Sequence, residues 1–304
     1  MNCHIVPMAY LRSWSTDETY SAERKKRKIY VSEKGKVPIK SQIIKTEKVR
    51  ETTIAQEDLY LITEAVEKLL INPKKHGIVK IDPKQIEESM SIHYEQPWGN
   101  AMKELKGSTP STEQWEVFLQ LFLEFVALQL VRSPQVVKGI IAKFIPQFKK
   151  NPLLRKQIEI MGEEEFIHNQ FLCSLYHAMS GMPSMLLSEL TQKIDYDYQR
   201  YLLYTNGSMC EFITSDFPIC NNNSGRIDDG LYFPINRNAC LLLAKGKNDD
   251  NLEVIEAGSE VVQFVNHLMR KAAKKILISS VPLTEDYFLE TCPKEEFRKI
   301  LGVE

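Results

Sequence analysis

Several polar residues of this chain stand where polarity is costly, and they define the chemistry within its reach. Glu124, Gln129 and Arg132 interrupt the otherwise apolar run from Val117 to Val131. On a helix, Arg132 falls about 80° from Glu124 and about 60° from Gln129, so its guanidinium can reach either one. A buried carboxylate without a partner is expensive, so Glu124 needs a cation or a hydrogen-bond donor beside it. Two roles stay open for this group: a structural polar network, or the lining of a cleft. Asp216 lies in Phe212-Ile213-Thr214-Ser215-Asp216-Phe217-Pro218-Ile219, where a strand runs into Ser-Asp-x-Pro. An aspartate at a strand end serves as metal ligand or general base, or it caps a turn. His4 lies in an aromatic-rich N-terminal segment. Its imidazole either shuttles a proton or packs with one nitrogen bonded. Asn266 and His267 fall in a late helix, where a structural hydrogen bond is the expected role.

Taken together, His4, Glu124, Gln129, Arg132 and Asp216 are candidate catalytic residues. Asp216 and Glu124 could hold a divalent metal such as magnesium, His4 could move a proton, and Arg132 could stabilise a phosphorane-like charge. The charge distribution suggests a substrate class. Residues 1–50 carry 12 Lys/Arg against 5 Asp/Glu, and the remainder 27 against 35. The basic excess centres on Arg24-Lys25-Lys26-Arg27-Lys28, the kind of run that contacts phosphate backbones. The competing role is a charged strand entry that keeps a sheet edge soluble. There is no GxGxxG, Walker loop, GxSxG elbow or HExxH helix, so no familiar motif decides the reaction.

These residues need elements to position them. Lys28–Ser32 alternates like a strand, Glu33-Lys34-Gly35-Lys36 supplies a turn, and Val37–Val49 pairs back. Helical spacing begins near residue 54 and stops at Asn72-Pro73. Residues 83–106 read as a polar helix broken at Pro97-Trp98-Gly99 and partly exposed. Residues 112–132, capped by Ser111 or Thr112, are apolar nearly all round, which predicts a buried central helix. Ser133-Pro134 and Asn151-Pro152 open two further helices, and Glu163–Met179 and Pro183–Ile194 add two more. Strands return with Tyr201–Tyr204 and Cys210–Thr214, read as a hairpin around Asn206-Gly207, then 231–235, 240–244, 252–256 and 276–279. Ser259 is expected to cap the helix 260–275, and 295–301 to close the chain with a short helix. The expected fold is therefore α+β: a single domain over 1–304 with N-terminal strands (1–50), a helical insert (51–195) and a C-terminal sheet and helix (196–304). The terminal strands share one small mixed or antiparallel sheet.

Composition narrows the setting. The 304 residues are 43% hydrophobic and 26% charged, which excludes disordered and collagen-like classes. No apolar run is long enough to span a bilayer, and the first residues lack a secretory layout. The six cysteines show no CxxC, as suits reduced thiols. A soluble cytoplasmic protein with no membrane partner is expected.

The joint pattern resembles a known family. His4-x-Val6-Pro7-x-x-Tyr10-Leu11-Arg12, Gln129-x-x-Arg132, Phe212-Ile213-Thr214-Ser215-Asp216-x-Pro218, Phe233-Pro234-Ile235 followed by Leu241-Leu242-Leu243, and Asn266 occur in this order. They are similar to the bacterial family labelled domain of unknown function 4238. Trp14 stands where that family usually shows Phe, and Phe217 where it often shows Asn. The resemblance implies a bacterial cytoplasmic protein whose polar motif residues converge on one site. Two functions follow as expectations. One is a nucleic-acid-processing hydrolase, such as a nuclease-like effector of a toxin or phage-defence system. The other is a non-catalytic binding or scaffold protein whose polar motifs form a buried network.

Overall fold

The computed structural model describes residues 2–4, 6–16, 26–46, 48–49, 55–57, 88, 91–105, 111–132, 134–179, 185–206, 210–221, 230–246, 251–295 and 297. It is an α+β fold. In chain order come β1 (Asn2–His4), α1 (Met8–Leu11) with a 3-10 turn at Arg12–Trp14, β2 (Lys28–Glu33), β3 (Ser41–Lys45) and β4 (Ala55–Glu57). A π-helical turn at Ser91–Glu95 leads into α2 (Gln96–Glu104). Then follow α3 (Thr112–Arg132), α4 (Pro134–Phe148), α5 (Pro152–Met161), α6 (Glu163–Met179) and α7 (Met185–Asp197). The C-terminal part holds β5 (Tyr198–Tyr204), β6 (Thr214–Ser215), β7 (Leu231–Asn236), β8 (Ala239–Lys245), β9 (Leu252–Glu256), α8 (Ser259–Ala272) and β10 (Ile276–Ser279).

Local chemistry explains the helix boundaries. Ser111 Oγ accepts from Gln114 N (3.3 Å) and starts α3. Asn151 Oδ1 accepts from Leu153 N and Leu154 N and starts α5, with Pro152 in the first turn where no intrahelical N–H is needed. Gly162, at φ +83°, ends α5 in a conformation that a side chain would strain.

Two four-stranded sheets flank the helices. The first has the order β3-β2-β10-β6, so the N-terminal pair and two C-terminal strands share one antiparallel sheet. The second, β7-β8-β5-β9, is mixed, because β9 runs parallel to β5. β1 pairs with β4 in a separate ribbon. One hydrophobic core joins α1, α3 and both sheets through Tyr10, Trp14, Trp98, Phe122, Phe125, Phe233 and Ile278. A second core lies between α8 and the sheets, around Phe212, Leu242, Val262 and Leu277.

Some local expectations are corrected. Tyr201–Tyr204 and Cys210–Thr214 do not form a hairpin. β5 pairs with β8 and β9, while Thr214–Ser215 pairs with β10 in the other sheet. Asn-Gly favours a tight turn, but buried strand faces on both sides override that local preference. Residues 207–209 of that turn lie outside the described residues. Pro97-Trp98-Gly99 does not break its helix, because Pro97 falls in the first turn of α2. Trp98 is fully buried, while Ile92, His93 and Asn100 of the same stretch are exposed, as expected of part of it. Ala55–Glu57, where helical spacing was expected to begin, is a strand, and the rest of the stretch to Pro73 lies outside the described residues. Gly258, not Ser259, is the cap residue of α8. Most of 295–301 lies outside the described residues.

Candidate functional site

The motif residues meet first at Tyr10. Its hydroxyl donates to the carbonyl of Pro234 (2.6 Å) and is hydrogen-bonded to Thr214 Oγ1 (2.8 Å). One phenol thereby ties the N-terminal helix to both sheets, through β6 in one and β7 in the other. One helical turn on, Trp14 Nε1 donates to the Phe212 carbonyl at 3.2 Å. Aromatic residues are suited to this work, since each buries a large ring and carries one polar atom that still needs a partner. Burial pushes the Tyr10 pKa well above its ordinary 10, with the Thr214 bond opposing. The hydroxyl therefore stays protonated and bound.

Asp216 lies just beyond this node and is 7% exposed. Its two carboxylate oxygens accept from Lys274 N and Lys275 N, each at 2.8 Å. These N–H groups belong to the bend between α8 and β10, so Asp216 fastens the end of a helix to the start of a strand. Asn266, fully buried on α8, does the same for the preceding loop. Its Oδ1 accepts from Ile213 N (3.0 Å) and its Nδ2 donates to Glu211 O (2.9 Å). The structural role expected of Asn266 is thus visible in its bonds.

The α3 residues behave differently. Glu124 is half-buried and takes a bond from Gln120 Nε2 at 2.9 Å, one turn earlier. Its charge, after burial itself, helps push Tyr94 up to about 12. Gln129 is 3% exposed, and neither its Nε2 nor its Oε1 meets a hydrogen-bond partner. It sits one turn beyond Phe125, whose ring stacks on Trp98 at 4.3 Å. Residues four apart share a helix face, so Gln129 lies on the same face of α3 as Phe125. Trp98 Nε1 and Ser13 Oγ are likewise buried without partners. Trp98 itself lies 5.7 Å from the Tyr10 ring.

His4 lies on β1 and Arg132 on the last turn of α3, but both side chains fall outside the described residues. Arg24 and Lys25 lie outside them altogether. Lys26 is exposed, Arg27 and Lys28 half-exposed, and Lys28 stands directly across from Lys45 in the β2–β3 pair. Among the described residues, no three His, Cys, Asp or Glu side chains group closely enough to hold a metal ion. Cys210, Cys220, Cys240 and Cys292 are free thiols. Burial drives the Cys210 thiol up to about 12, with the Glu211 charge adding to it.

A polar cluster that the sequence reading passed over lies on the loop before β6. Ser280 Oγ donates to Glu211 Oε2, and Arg237 approaches Glu211 Oε1 at 3.6 Å. The turn Asn236-Arg237-Asn238 between β7 and β8 brings that arginine in. Nothing in the spacing of 211, 237 and 280 signals this meeting, which depends on β5 leaving its sequence neighbour for the second sheet.

Chemically, the arrangement divides in two. Tyr10, Asp216 and Asn266 have their polar atoms committed to backbone partners, which suits fastening. Gln129 and Trp98 keep buried donors and an acceptor uncommitted among the described residues, which suits holding a polar group. Searches of curated proteins and of solved structures find no match to this chain. A family model described as a protein of unknown function, DUF4238, matches residues 2–281, and the chain belongs to that family.

Proposed function

We propose that this protein is a non-catalytic binding protein in which the motif residues build a rigid frame and the buried Gln129 carboxamide of α3 supplies a polar anchor. The observation that carries this reading is the commitment of both Asp216 oxygens to Lys274 N and Lys275 N. A metal ligand or general base needs a lone pair turned toward substrate. Here one lone pair on each oxygen is engaged by backbone, as suits a fastening. The unpartnered Gln129 amide points to a bound polar group, because a dry carboxamide otherwise costs stability.

A second reading, contact with nucleic acid, is favoured by the basic end of the β2–β3 hairpin. Lys28 opposite Lys45, with Lys26 and Arg27 adjoining, concentrates like charge on one rim. A rim of this basic character suits a phosphate backbone. A magnesium-dependent hydrolase built on Asp216 and Glu124 is the version of this reading that asks most of Asp216.

Incubating the purified protein with labelled RNA, DNA and nucleotides, with and without magnesium, tests both readings. The binding reading expects retention without turnover and indifference to magnesium. Turnover that Asp216→Asn removes at an unchanged unfolding midpoint would overturn it. For the basic rim, the expected signature is affinity that falls steeply with salt and drops on neutralising Lys26, Arg27 and Lys28.

A further inference from the structure

The helix α5 has two apolar faces, and only one is used. Ile158 and Met161 turn inward to a small core with Ile145 and Phe166. On the opposite side, Leu153 is 75% exposed and Ile160 is 64% exposed. Seven residues apart, they lie on one stripe of the helix, with Lys156 between them. Phe144 on α4, the helix just before, is 44% exposed.

The hairpin that carries this stripe is basic on balance. From Pro134 to Met161 it holds six Lys/Arg against Glu159 alone, and α6 then opens on Glu163-Glu164-Glu165. Lys149 pairs with Glu163 at 2.5 Å and Arg155 with Glu159 at 3.8 Å, both at the surface. Lys143, Lys150 and Lys156 are exposed and make no ion pair among the described residues.

We propose that the α4–α5 hairpin docks on an anionic lipid surface, with Leu153 and Ile160 entering the boundary between headgroups and acyl chains and the lysines contacting the headgroup phosphates. The pairing of aliphatic side chains with flanking lysines is what an interfacial helix presents. A nucleic acid would be served by aromatic platforms rather than by Leu and Ile. A second copy docked about a two-fold axis would set this lysine-rich face against itself. No helix among the described residues is long and apolar enough to cross a membrane, so the contact lies on the bilayer. The expectation of no membrane partner came from the lack of a span, and a span is not needed here.

The full chain is to be sedimented with vesicles of phosphatidylcholine alone and of phosphatidylcholine with about one third phosphatidylserine. The wild type is expected to partition onto the anionic vesicles and to lose at least about tenfold on the neutral ones or at high salt. Leu153→Ser with Ile160→Ser is expected to lose about tenfold in partition at an unchanged unfolding midpoint. Lys150→Glu with Lys156→Glu, which leaves the apolar stripe whole, is expected to lose binding as well. Equal sedimentation of wild type and Leu153→Ser/Ile160→Ser would overturn the proposal, as would failure of the wild type to bind either vesicle. Light scattering that shows a dimer, dispersed by the same serine substitutions, would overturn it in favour of a self-association face.

Discussion

Two polar regions flank the same aromatic stack and differ in how their hydrogen-bonding groups are used. Around Tyr10, Asp216 and Asn266, side chains reach across the fold to backbone groups of distant elements, at 2.6–3.0 Å. At Gln129 and at Trp98, equally buried polar atoms meet no hydrogen-bond partner among the described residues. A buried polar group with good partners adds specificity and some stability, whereas an unpartnered one costs stability. The first region is therefore a fastening between N-terminus, insert and sheets. The second carries a cost that a bound polar group would relieve.

The largest expected effect comes from breaking the fastening at its centre. Tyr10→Ala removes a fully buried ring that stacks near Trp14, Trp98, Phe125 and Phe233. Chemical unfolding should show a loss of about 3–5 kcal/mol. Asp216→Asn is the next probe. An amide can accept from one of the two backbone N–H groups but presents its own N–H to the other. A loss of about 1.5–3 kcal/mol is expected in a thermal or urea melt.

The same region predicts an alkaline limit. Tyr10 and Cys210 have pKa values raised in the folded state, Cys210 from an ordinary 9.0 to about 12. Raised values mean that both groups stay protonated in the fold after they would ionise in the unfolded chain. Their contribution is complete below the unfolded pKa and is lost as pH climbs toward the folded one. Above its ordinary pKa, 9.0 for Cys210 and 10.0 for Tyr10, each group should remove up to roughly 1.4 kcal/mol of stability per pH unit. Urea midpoints measured from pH 8 to 11 check this. Midpoints that hold flat through pH 11 would show that Cys210 and Tyr10 are reached by water.

Sequence patterning revealed the skeleton of this arrangement more clearly than its joints. The apolar run at 112–132 and the Ser-Pro and Asn-Pro starts signalled α3, α4 and α5, because these features act within one or two helical turns. The sharing of one sheet by terminal strands was legible as well, since β2 keeps a second edge after pairing with β3 and β10 follows a helix rather than a hairpin partner. Tyr10 was visible only as part of a motif. Its role depends on Thr214 and Pro234, over 200 residues away, and no local pattern encodes such a meeting. Asp216 was singled out as a polar residue at a strand end, with a metal or base role and a capping role both open. Of the two tasks considered, capping is the one its bonds display, although it caps Lys274 and Lys275 rather than its own turn. The break expected at Pro97-Trp98-Gly99 does not occur, because a proline in the first helical turn costs nothing.

The smallest effect is the most telling, because its sign differs from the rest. Gln129→Met keeps the length of the side chain and removes two polar atoms that meet no partner. Tyr10→Phe keeps the ring and removes a hydroxyl that meets two. Urea unfolding of these two variants beside the wild type, without ligand, tests the distinction most directly. The expected result is a gain of about 1 kcal/mol for Gln129→Met and a loss of about 1–3 kcal/mol for Tyr10→Phe. A loss of similar size for Gln129→Met would contradict the account, since it would place Gln129 among the fastened residues and leave the proposed anchor without a basis.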